Sequence, residues 1–576
     1  MQSSCKKCQT SFEISDSDIA FLDKVAPIFN GVKYGINPPT LCPDCRQIRR
    51  LTHVNEINLY KRKCSKTGKD ILSNYHSSQP HTVYNQEYWW SDDWDALSYG
   101  KEYDFNKPFF QQINELFLQV PHPSLFTGFR YDENCDYTNY AGKNKNCYLI
   151  FDADYNRDTY YSYSPNHNIN CIDGYRTRES ELCYESVDCK NCYNCDYISN
   201  SLQCSDSAFL DNCEGCKNCF MSCNQQHKQY FINNRQGTKE EYEALMAELK
   251  THAGVEKYKK EFKELRISTP KKFLHGTQNE NVSGDYISNC KDVQDSFDCN
   301  DVRDGKYIYQ SFGSNIKDCQ DCDQIGDNAE LCYESSNSGY SANHILFGTN
   351  ILDQNSDIIY SNHCHYSSNL FGCIGLKRKK YCILNKEYTK KEYETLVPKI
   401  IEHMRATASP EEGKSTGEWG EHYPETISPF AYNESMAMEY KPLTKEQALA
   451  QGATWREDDK KKVPSTCEIP ESIGETKDSI TQEVLACTTC KSNYKIIPQE
   501  LEFYRTKGIP IPKKCFKCRH YDRMHTRNPR QLWDRSCAKC STSIRTSYSP
   551  DRPHSSKSVP LGEIIYCEKC YLEAVY

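Results

Sequence analysis

Between residues 134 and 229 the chain repeats one pattern of apolar and polar residues every twelve positions. Eight blocks, from NCDYTNYAGKNK to NCFMSCNQQHKQ, keep this period without an insertion. Each block places Cys or a small residue before alternating Tyr, Ile, Phe and Ser, and the other positions hold Asn, Asp and Gly. Short alternating stretches between polar turns predict β-strands, and a fixed period is typical of solenoids. We predict a β-solenoid-like array in which two blocks form one coil.

A second array of the same kind begins near Ser283 with SGDYISNCKDVQ. The sequence LCYES occurs in both arrays, at Leu182 and at Leu331. After each array, a threonine (Thr238 or Thr389) is followed three residues later by Glu, ahead of an amphipathic pattern, which predicts a helix with a capping box. These helices are expected to cover the strand edge of each array, which would otherwise pair with other strands. The fold class is therefore predicted to be mainly β.

Cysteines near both ends of the chain occur as CxxC pairs. Two-residue spacing lets both thiolates of a pair reach one ion, and two pairs complete the tetrahedral sulfur shell that Zn²⁺ prefers. Sites made of four cysteines have no open position, so we predict three structural Zn²⁺ ions and no catalytic role for the metal. The predicted ligands are Cys5, Cys8, Cys42 and Cys45 in ribbon 1; Cys487, Cys490, Cys515 and Cys518 in ribbon 2; and Cys537, Cys540, Cys567 and Cys570 in ribbon 3.

Ribbon 2 carries a more detailed motif between its two CxxC pairs, and the second pair is followed at once by Arg. The residues of this motif are Tyr494, Ile496, Glu502, Phe503, Tyr504, Gly508, Pro510, Pro512 and Arg519. With this motif the terminal modules resemble the probable zinc-ribbon domain family, although ribbon 1 has Phe21-Leu22 in place of the Phe-Tyr pair and a longer loop. The whole chain, including the stretch GEWGEHYPETISPFAYNESMA, resembles large bacterial zinc-ribbon proteins. The resemblance implies zinc binding and this architecture, and it implies no activity.

The segment that begins at Cys64 matches ribbon 3, which begins at Cys537. Eighteen residues separate each of them from the preceding CxxC pair. In this alignment Thr67, Asn85 and Tyr88 stand where ribbon 3 has its three other cysteines. We predict a degenerate, metal-free ribbon whose core is packed by the aromatic run YWWSDDW instead of a metal ion.

Composition limits the ways in which this chain can be stabilised. Its 576 residues include 34 Cys and 42 Tyr, but only 37% are hydrophobic, so metals, tyrosines and thin repeated layers are expected to replace thick aliphatic cores. No apolar run reaches the length of a membrane helix, and MQSSCKKCQT lacks the apolar core of a signal peptide. A cytoplasmic protein with reduced thiols and no membrane partner is therefore expected.

Charge is distributed unevenly, and the basic ends suggest a function. Residues 1–64 carry ten Lys/Arg against six Asp/Glu, a net charge of +4, and residues 487–576 carry seventeen against eight, a net charge of +9. Because the whole chain has a net charge of −8, the residues between these ends carry −21. Arginines beside aromatic residues on a zinc scaffold suit phosphate contacts and base stacking. The candidate nucleic-acid contacts are Arg46, Arg49, Arg50, Arg519, Arg523, Arg527, Arg530 and Arg535.

Three functions remain open from the sequence. In the first, the ribbons bind nucleic acid or a ribonucleoprotein and the solenoid is a rigid spacer. In the second, the chain is a scaffold for protein–protein interaction. In the third, the run Cys213, Cys216, Cys219 and Cys223, which has the spacing of bacterial ferredoxins, holds an iron–sulfur cluster or an added metal ion. Because the repeat already predicts inward cysteines here, small buried thiols are the preferred interpretation of this run. No catalytic constellation is present, so an enzyme is not expected.

These observations predict seven segments along the chain. They are ribbon 1 (1–63), the degenerate ribbon with its aromatic core (64–130), the first array with its helix (131–254), the second array with its helix (280–404), an acidic Pro/Gly-rich linker with one short helix capped by Thr444 (405–486), ribbon 2 (487–535) and ribbon 3 (536–576).

Overall fold

The chain divides into two compact units, each of which combines distant parts of the sequence. The computed structural model describes residues 1–311, 313–407, 417–457, 461–550 and 563–575. Unit 1 contains Met1–Leu125, Leu274–Glu457 and Arg530–Leu532, and unit 2 contains Phe126–Phe273, Asp458–Pro529 and Trp533–Tyr576. The N-terminal ribbons therefore share a unit with the second array, and the C-terminal ribbons share one with the first.

The α-helices are short, and most lie outside the arrays. They are α1 (Asp16–Lys24), α2 (Pro43–Thr52), α3 (Gln86–Trp90), α4 (Phe109–Gln119), α5 (Lys239–Glu248), α6 (His252–Ser268), α7 (Lys390–Ala406), α8 (Met436–Tyr440), α9 (Lys445–Ala450), α10 (Pro498–Lys507), α11 (Phe516–Met524) and α12 (Glu568–Val575). The predicted capping boxes at Thr238, Thr389 and Thr444 are confirmed at the starts of α5, α7 and α9. Within the described residues, no helix combines the length and the apolar character needed to cross a membrane.

The strands are also short and form many small sheets and one large one. In unit 1 they are Gln2–Ser4, Ser11–Glu13, Ile28–Phe29, Val32–Lys33, Tyr60–Lys63, Asp70–Ser73, Val83–Tyr84, His122–Pro123, Gly276–Thr277, Glu280–Asp285, Ile287–Ser288, Lys291–Phe297, Val302–Tyr309, Ile316–Asp323, Tyr333–Ser338, Asn343–Leu346, Thr349–Ile351, Ser356–Ile359, Ser368–Phe371, Lys380–Ile383 and Lys386–Glu387. In unit 2 they are Thr127–Gly128, Thr138–Gly142, Ile150–Asp154, Tyr193–Asp196, Ser205–Asp211, Phe220–Cys223, Phe231–Ile232, Arg235–Gln236, Lys271–Lys272, Leu485–Ala486, Asn493–Tyr494, Trp533–Ser536, Ser543–Thr546 and Ile565–Tyr566. Array 1 denotes the strands from Thr127 to Gln236, and array 2 those from Gly276 to Glu387.

Parallel pairing in array 1 follows the twelve-residue period. Thr138 pairs with Ile150, Tyr193 pairs with Ser205, and single bridges join residue i to residue i+12 from Glu133 onward. The chain thus returns to its neighbour after one block. If two blocks formed one coil, paired residues would be 24 positions apart in the sequence. They are 12 positions apart, so the expectation that two blocks form one coil is wrong.

Each block of array 1 is built from three-residue steps. Every third residue from Lys143 to Tyr230 has positive φ, a conformation in which Asn, Asp and Gly are enriched. The residue after most of these turns is buried and small, commonly Cys, Ser, Thr or Asn, although Ile150, Ile198 and Leu210 are larger. Inward cysteines donate S–H to the carbonyls two residues before and nine residues after, as Cys171 does to Ile169 and Ser180 at 3.4 Å. The interior therefore favours small side chains that also carry a hydrogen-bond donor.

Array 2 is the less regular of the two. Its partners are 12 residues apart at Ser368 and Lys380 and 13 apart at Tyr333 and Leu346. The core of unit 1 lies beside it and includes Tyr360, Phe371, residues of α4 and α7, and Trp419.

A hairpin ends each array. The last parallel strand of array 1, Phe231–Ile232, pairs antiparallel with Arg235–Gln236, and in array 2 Lys380–Ile383 pairs antiparallel with Lys386–Glu387. The helices after the arrays pack against strands: α6 contacts Phe220–Cys223, and α7 contacts Lys380–Ile383. The returning strands thus use the free backbone edge that the helices alone were expected to cover.

Two sequence-based expectations need correction. The fold is mixed, with 24% helix and 29% strand, so "mainly β" understates the helices. Residues 417–457, predicted to belong to a linker, are part of unit 1, where Trp419, Tyr423 and Tyr432 are buried. The rest of that predicted linker includes residues 408–416 and 458–460, which lie outside the described residues.

Candidate metal centres

The twelve ribbon cysteines gather into three groups of four, as predicted. Within each group the sulfur atoms all lie within 4.8 Å of one another. Cys8 and Cys42 have their Sγ atoms 3.6 Å apart, and Cys540 and Cys567 have theirs 3.7 Å apart. A tetrahedral Zn²⁺ with Zn–S bonds of about 2.3 Å spaces its sulfurs by roughly 3.8 Å. The three groups can therefore hold metal ions, and their thiolate chemistry is compatible with zinc.

One backbone turn shapes the first CxxC pair of every ribbon. In ribbon 2 the Cys487 N–H donates to the Ser492 carbonyl at 2.9 Å, and the Lys491 N–H donates to the Cys487 carbonyl at 3.0 Å. Lys491 has φ of 62°, which reverses the chain just after the pair. The turn brings both thiols of the pair to the same side.

At least one thiol in each group has a lowered pKa, which favours the thiolate that a metal ion needs. A hydrogen bond from the Cys45 thiol lowers the pKa of Cys42 to about 5 despite burial. Burial raises the pKa of Cys487 and Cys537, but hydrogen bonds from backbone N–H groups outweigh it and lower each pKa to about 6. A hydrogen bond with Cys42 raises the pKa of Cys45, and burial raises the pKa of Cys515, so metal binding must displace the protons of these thiols.

The segment at Cys64 keeps the backbone of a ribbon without its ligands. The Cys64 N–H donates to the Lys69 carbonyl at 2.9 Å, as in the three ribbons. The Asn85 N–H donates to the Cys64 sulfur at 3.3 Å, which matches the bond from Cys567 to Cys537 at 3.2 Å. Cys64 belongs to none of the three groups found among the described residues.

Aromatic residues occupy the core of this segment. Trp89 is fully buried, and Cys64 and Tyr84 lie in the same cluster. The Lys377 ammonium group from array 2 lies 4.5 Å from the centre of the Trp89 ring and 5.2 Å from that of Trp94, a favourable cation–π geometry. Aromatic packing thus stands where the other ribbons have a metal centre.

Replacing Cys64 with serine should leave the metal content of the protein unchanged, because Cys64 belongs to none of the tetracysteine groups among the described residues. Cys537→Ser is the matched control, since Cys537 has the same backbone turn and three cysteine neighbours, and it should lower the metal-to-protein ratio by one. Elemental analysis of the purified variants measures both. A lower ratio in the Cys64→Ser variant would contradict the metal-free assignment.

Five of the predicted arginines lie on two helices: three on α2 of ribbon 1, and Arg519 and Arg523 on α11 of ribbon 2. Cys42 is the N-cap of α2 and Cys515 is the N-cap of α11, so a ligand of each group fixes the start of a helix. A metal ion held by that ligand would also fix the position and direction of the arginines that follow.

In unit 1 the arginines of α2 bind acidic residues of array 2. Arg46 lies 2.8 Å from Asp321, Arg50 lies 2.9 Å from Asp323, and Arg49 lies 3.0 Å from Glu334. Arg50 is completely buried. Glu334 is the glutamate of the second LCYES sequence.

Unit 2 repeats this arrangement with the arginines of α11 and array 1. Arg519 and Arg523 lie 2.8 and 2.9 Å from the two carboxylate oxygens of Asp173. Arg523 also lies 3.8 Å from Glu185, the glutamate of the first LCYES sequence. Arg527, just after α11, lies 2.6 Å from Asp188. The duplicated ribbons and the duplicated LCYES sequences thus meet in equivalent ion-pair clusters.

Most of the arginines predicted to contact nucleic acid are paired with carboxylates of the arrays. Seven of the eight are buried, and their guanidinium groups face carboxylates of the arrays. Arg530 lies in unit 1, 2.8 Å from Asp298 and 3.7 Å from the centre of the Tyr440 ring. Arg535 is half-buried and donates to backbone carbonyls. Arginine clustering was visible in the sequence, but the acidic partners, hundreds of residues away, were not.

The run Cys213, Cys216, Cys219 and Cys223 does not form a metal-binding group among the described residues. The first three lie on successive sides of one block, each after its own turn, and donate S–H to backbone carbonyls. Cys223 instead packs in the cluster that contains α6. The ferredoxin-like spacing thus arises from the three-residue step of the array.

No protein-family model matches the chain, and no curated protein is similar to it. The resemblance of the ribbons to a zinc-ribbon family therefore stays a prediction. The geometry itself defines the class of protein: a two-unit chain with three candidate tetrathiolate metal centres.

Proposed function

We propose that the protein is a non-catalytic scaffold for protein–protein interaction, stabilised by three structural Zn²⁺ ions. The observation that carries this proposal is the burial of the ribbon arginines in ion pairs with the arrays. Basic groups used in this way hold a ribbon on an array and are not available to phosphates. In this proposal each array is a β-solenoid with one block per coil, and the ribbons brace its side.

The partner surface in this proposal is the open face of array 1. On this face, successive blocks contribute exposed side chains in two adjacent columns. The Tyr155 and His167 rings stack at 4.6 Å, and Tyr155 and Tyr193 are 46% and 47% exposed. Other exposed members are Lys143, Lys145, Arg157, Glu179 and Glu181. Exposed tyrosines within a polar surround favour a protein interface, because Tyr is enriched in interfaces and their rims are polar.

Nucleic-acid binding is the second candidate, and different residues support it. Lys61, Lys63, Lys66 and Lys69 are exposed around the strand Tyr60–Lys63 and the turn after it. The Lys66 ammonium group lies 5.9 Å from the centre of the Tyr88 ring. Lysines beside an aromatic ring suit a phosphate backbone with a stacked base.

Affinity purification of the full-length chain from its own cells, with and without nuclease, tests both candidates. We expect bound proteins to survive nuclease and to be lost from a Tyr155→Glu/Tyr193→Glu variant, because only the open face is changed. Tyr366→Glu, a similarly exposed tyrosine in array 2, is the matched control and should retain them. Loss of the partners on nuclease treatment, together with loss in a Lys61→Glu/Lys63→Glu variant, would overturn the scaffold in favour of nucleic acid.

A further inference from the structure

Two histidines and a tyrosine form a buried cluster where α2 ends. His53 is the C-cap of that helix, and His422 and Tyr423 belong to the stretch WGEHYPE. The His53 ring centre lies 5.7 Å from that of His422 and 5.8 Å from that of Tyr423, and the rings of His422 and Tyr423 lie 5.0 Å apart. Their exposures are 5%, 1% and 0%. All three residues belong to unit 1.

Four polar atoms of this cluster have no hydrogen-bond partner within the described part of the chain. They are His53 Nε2, both ring nitrogens of His422, and the Tyr423 hydroxyl oxygen. A buried polar atom left without a partner costs about 1–3 kcal/mol, so several in one place indicate a bound group that supplies the missing contacts.

The histidines are in the form that binds metal ions. His53 Nε2 has no hydrogen-bond partner among the described residues, so its lone pair is available to a metal ion. Burial lowers the pKa of His53 to about 4 and that of His422 well below its usual range, so both imidazoles are neutral.

The surrounding charges are compatible with a cation. Arg49 and Arg50 are the nearest positive groups and oppose a cation. Their charges are offset by Glu334, Glu421 and Asp323, which lie 3.0, 2.6 and 2.9 Å from them. The cluster therefore does not face uncompensated positive charge.

We propose that His53 Nε2, one ring nitrogen of His422 and the Tyr423 hydroxyl oxygen bind a divalent transition-metal ion of the zinc type, separate from the three tetracysteine groups. Two imidazoles on one tetrahedral ion, with Zn–N bonds of about 2.0 Å, place their ring centres roughly 5 Å apart. The observed 5.7 Å lies close to this value. Nitrogen and oxygen ligands on a helix end would then join α2 to the WGEHYPE stretch.

Metal analysis of the full-length protein, saturated with Zn²⁺ and then desalted, tests this site. We expect the wild-type protein to hold one ion more than its tetracysteine groups account for, and His422→Phe to lose one ion. His167→Phe, at an exposed histidine outside the cluster, is the matched control and should keep the wild-type content. Equal metal content in His422→Phe and wild type would overturn the proposal.

Two further measurements keep the proposal testable if His422→Phe fails to fold. Tyr423→Phe keeps the ring and removes only the hydroxyl group, and it should release one ion to a chelator faster than the wild-type protein does. Cobalt substitution should add d–d absorption without further sulfur-to-metal charge transfer, because this site has no thiolate. Identical release rates in Tyr423→Phe and wild type, or a cobalt spectrum explained by thiolate sites alone, would overturn it.

Discussion

Cys515→Ser should remove the metal ion of ribbon 2 and unfold that ribbon. Structural zinc in small domains contributes on the order of 10 kcal/mol to their folding. Cys515 is also the N-cap of α11, so the arginines on that helix should lose their fixed position against Asp173. We expect one metal ion fewer per chain by elemental analysis and rapid hydrogen exchange throughout α11.

Cys467→Ser is the matched control for this substitution. Cys467 is half-buried in unit 2 and lies outside the three tetracysteine groups, so its loss should change neither the metal content nor the exchange of α11. Full metal content in Cys515→Ser, or slow exchange of α11 in that variant, would contradict a structural role for this centre.

Asp173→Asn should destabilise unit 2 by about 3–5 kcal/mol, the usual cost of removing one partner from a buried ion pair. Asp173 is fully buried, and both of its oxygens face arginines, Arg519 at 2.8 Å and Arg523 at 2.9 Å. Asparagine has nearly the same shape, so the loss measures charge more than packing. Chemical denaturation followed by tyrosine fluorescence reports the change in unfolding free energy.

A substitution in a more exposed ion pair, between α11 and the residue Lys514 before it, provides the comparison. Asp522 lies 2.7 Å from Lys514, and both side chains are exposed, so Asp522→Asn should leave stability nearly unchanged. The metal content of both variants should equal that of the wild-type protein, which separates this effect from loss of the ion. If the two substitutions cost the same, the ion-pair cluster is not what holds ribbon 2 on array 1.

The features that the sequence predicted well depend on residues close together along the chain. CxxC spacing fixes which thiols of a pair meet, and the twelve-residue period fixes which strands of array 1 pair. The capping boxes at Thr238, Thr389 and Thr444 each lie within one helical turn. The alignment of Cys64 with Cys537 predicted a ribbon without ligands, and both positions have the same turn.

The features that it predicted poorly depend on contacts between distant residues. Arg523 and Asp173 are 350 residues apart, and an isolated arginine cluster has the same sequence pattern whether it faces phosphate or a carboxylate. The LCYES sequence occurs in both arrays, but no residue near Glu185 or Glu334 in the sequence indicates an arginine partner. The period of twelve could not distinguish one block per coil from two.

The pairing of distant segments within each unit has a consequence for protein synthesis. The N-terminal ribbons leave the ribosome before any of residues 126–273, yet array 2, whose carboxylates pair with the arginines of α2, begins only at Gly276. At about 5–20 residues per second, the nascent chain carries these arginines in water for several seconds at least. Early metal binding would keep ribbon 1 and α2 folded until array 2 is synthesised. We therefore expect the zinc supply during translation to govern the yield of correctly assembled protein.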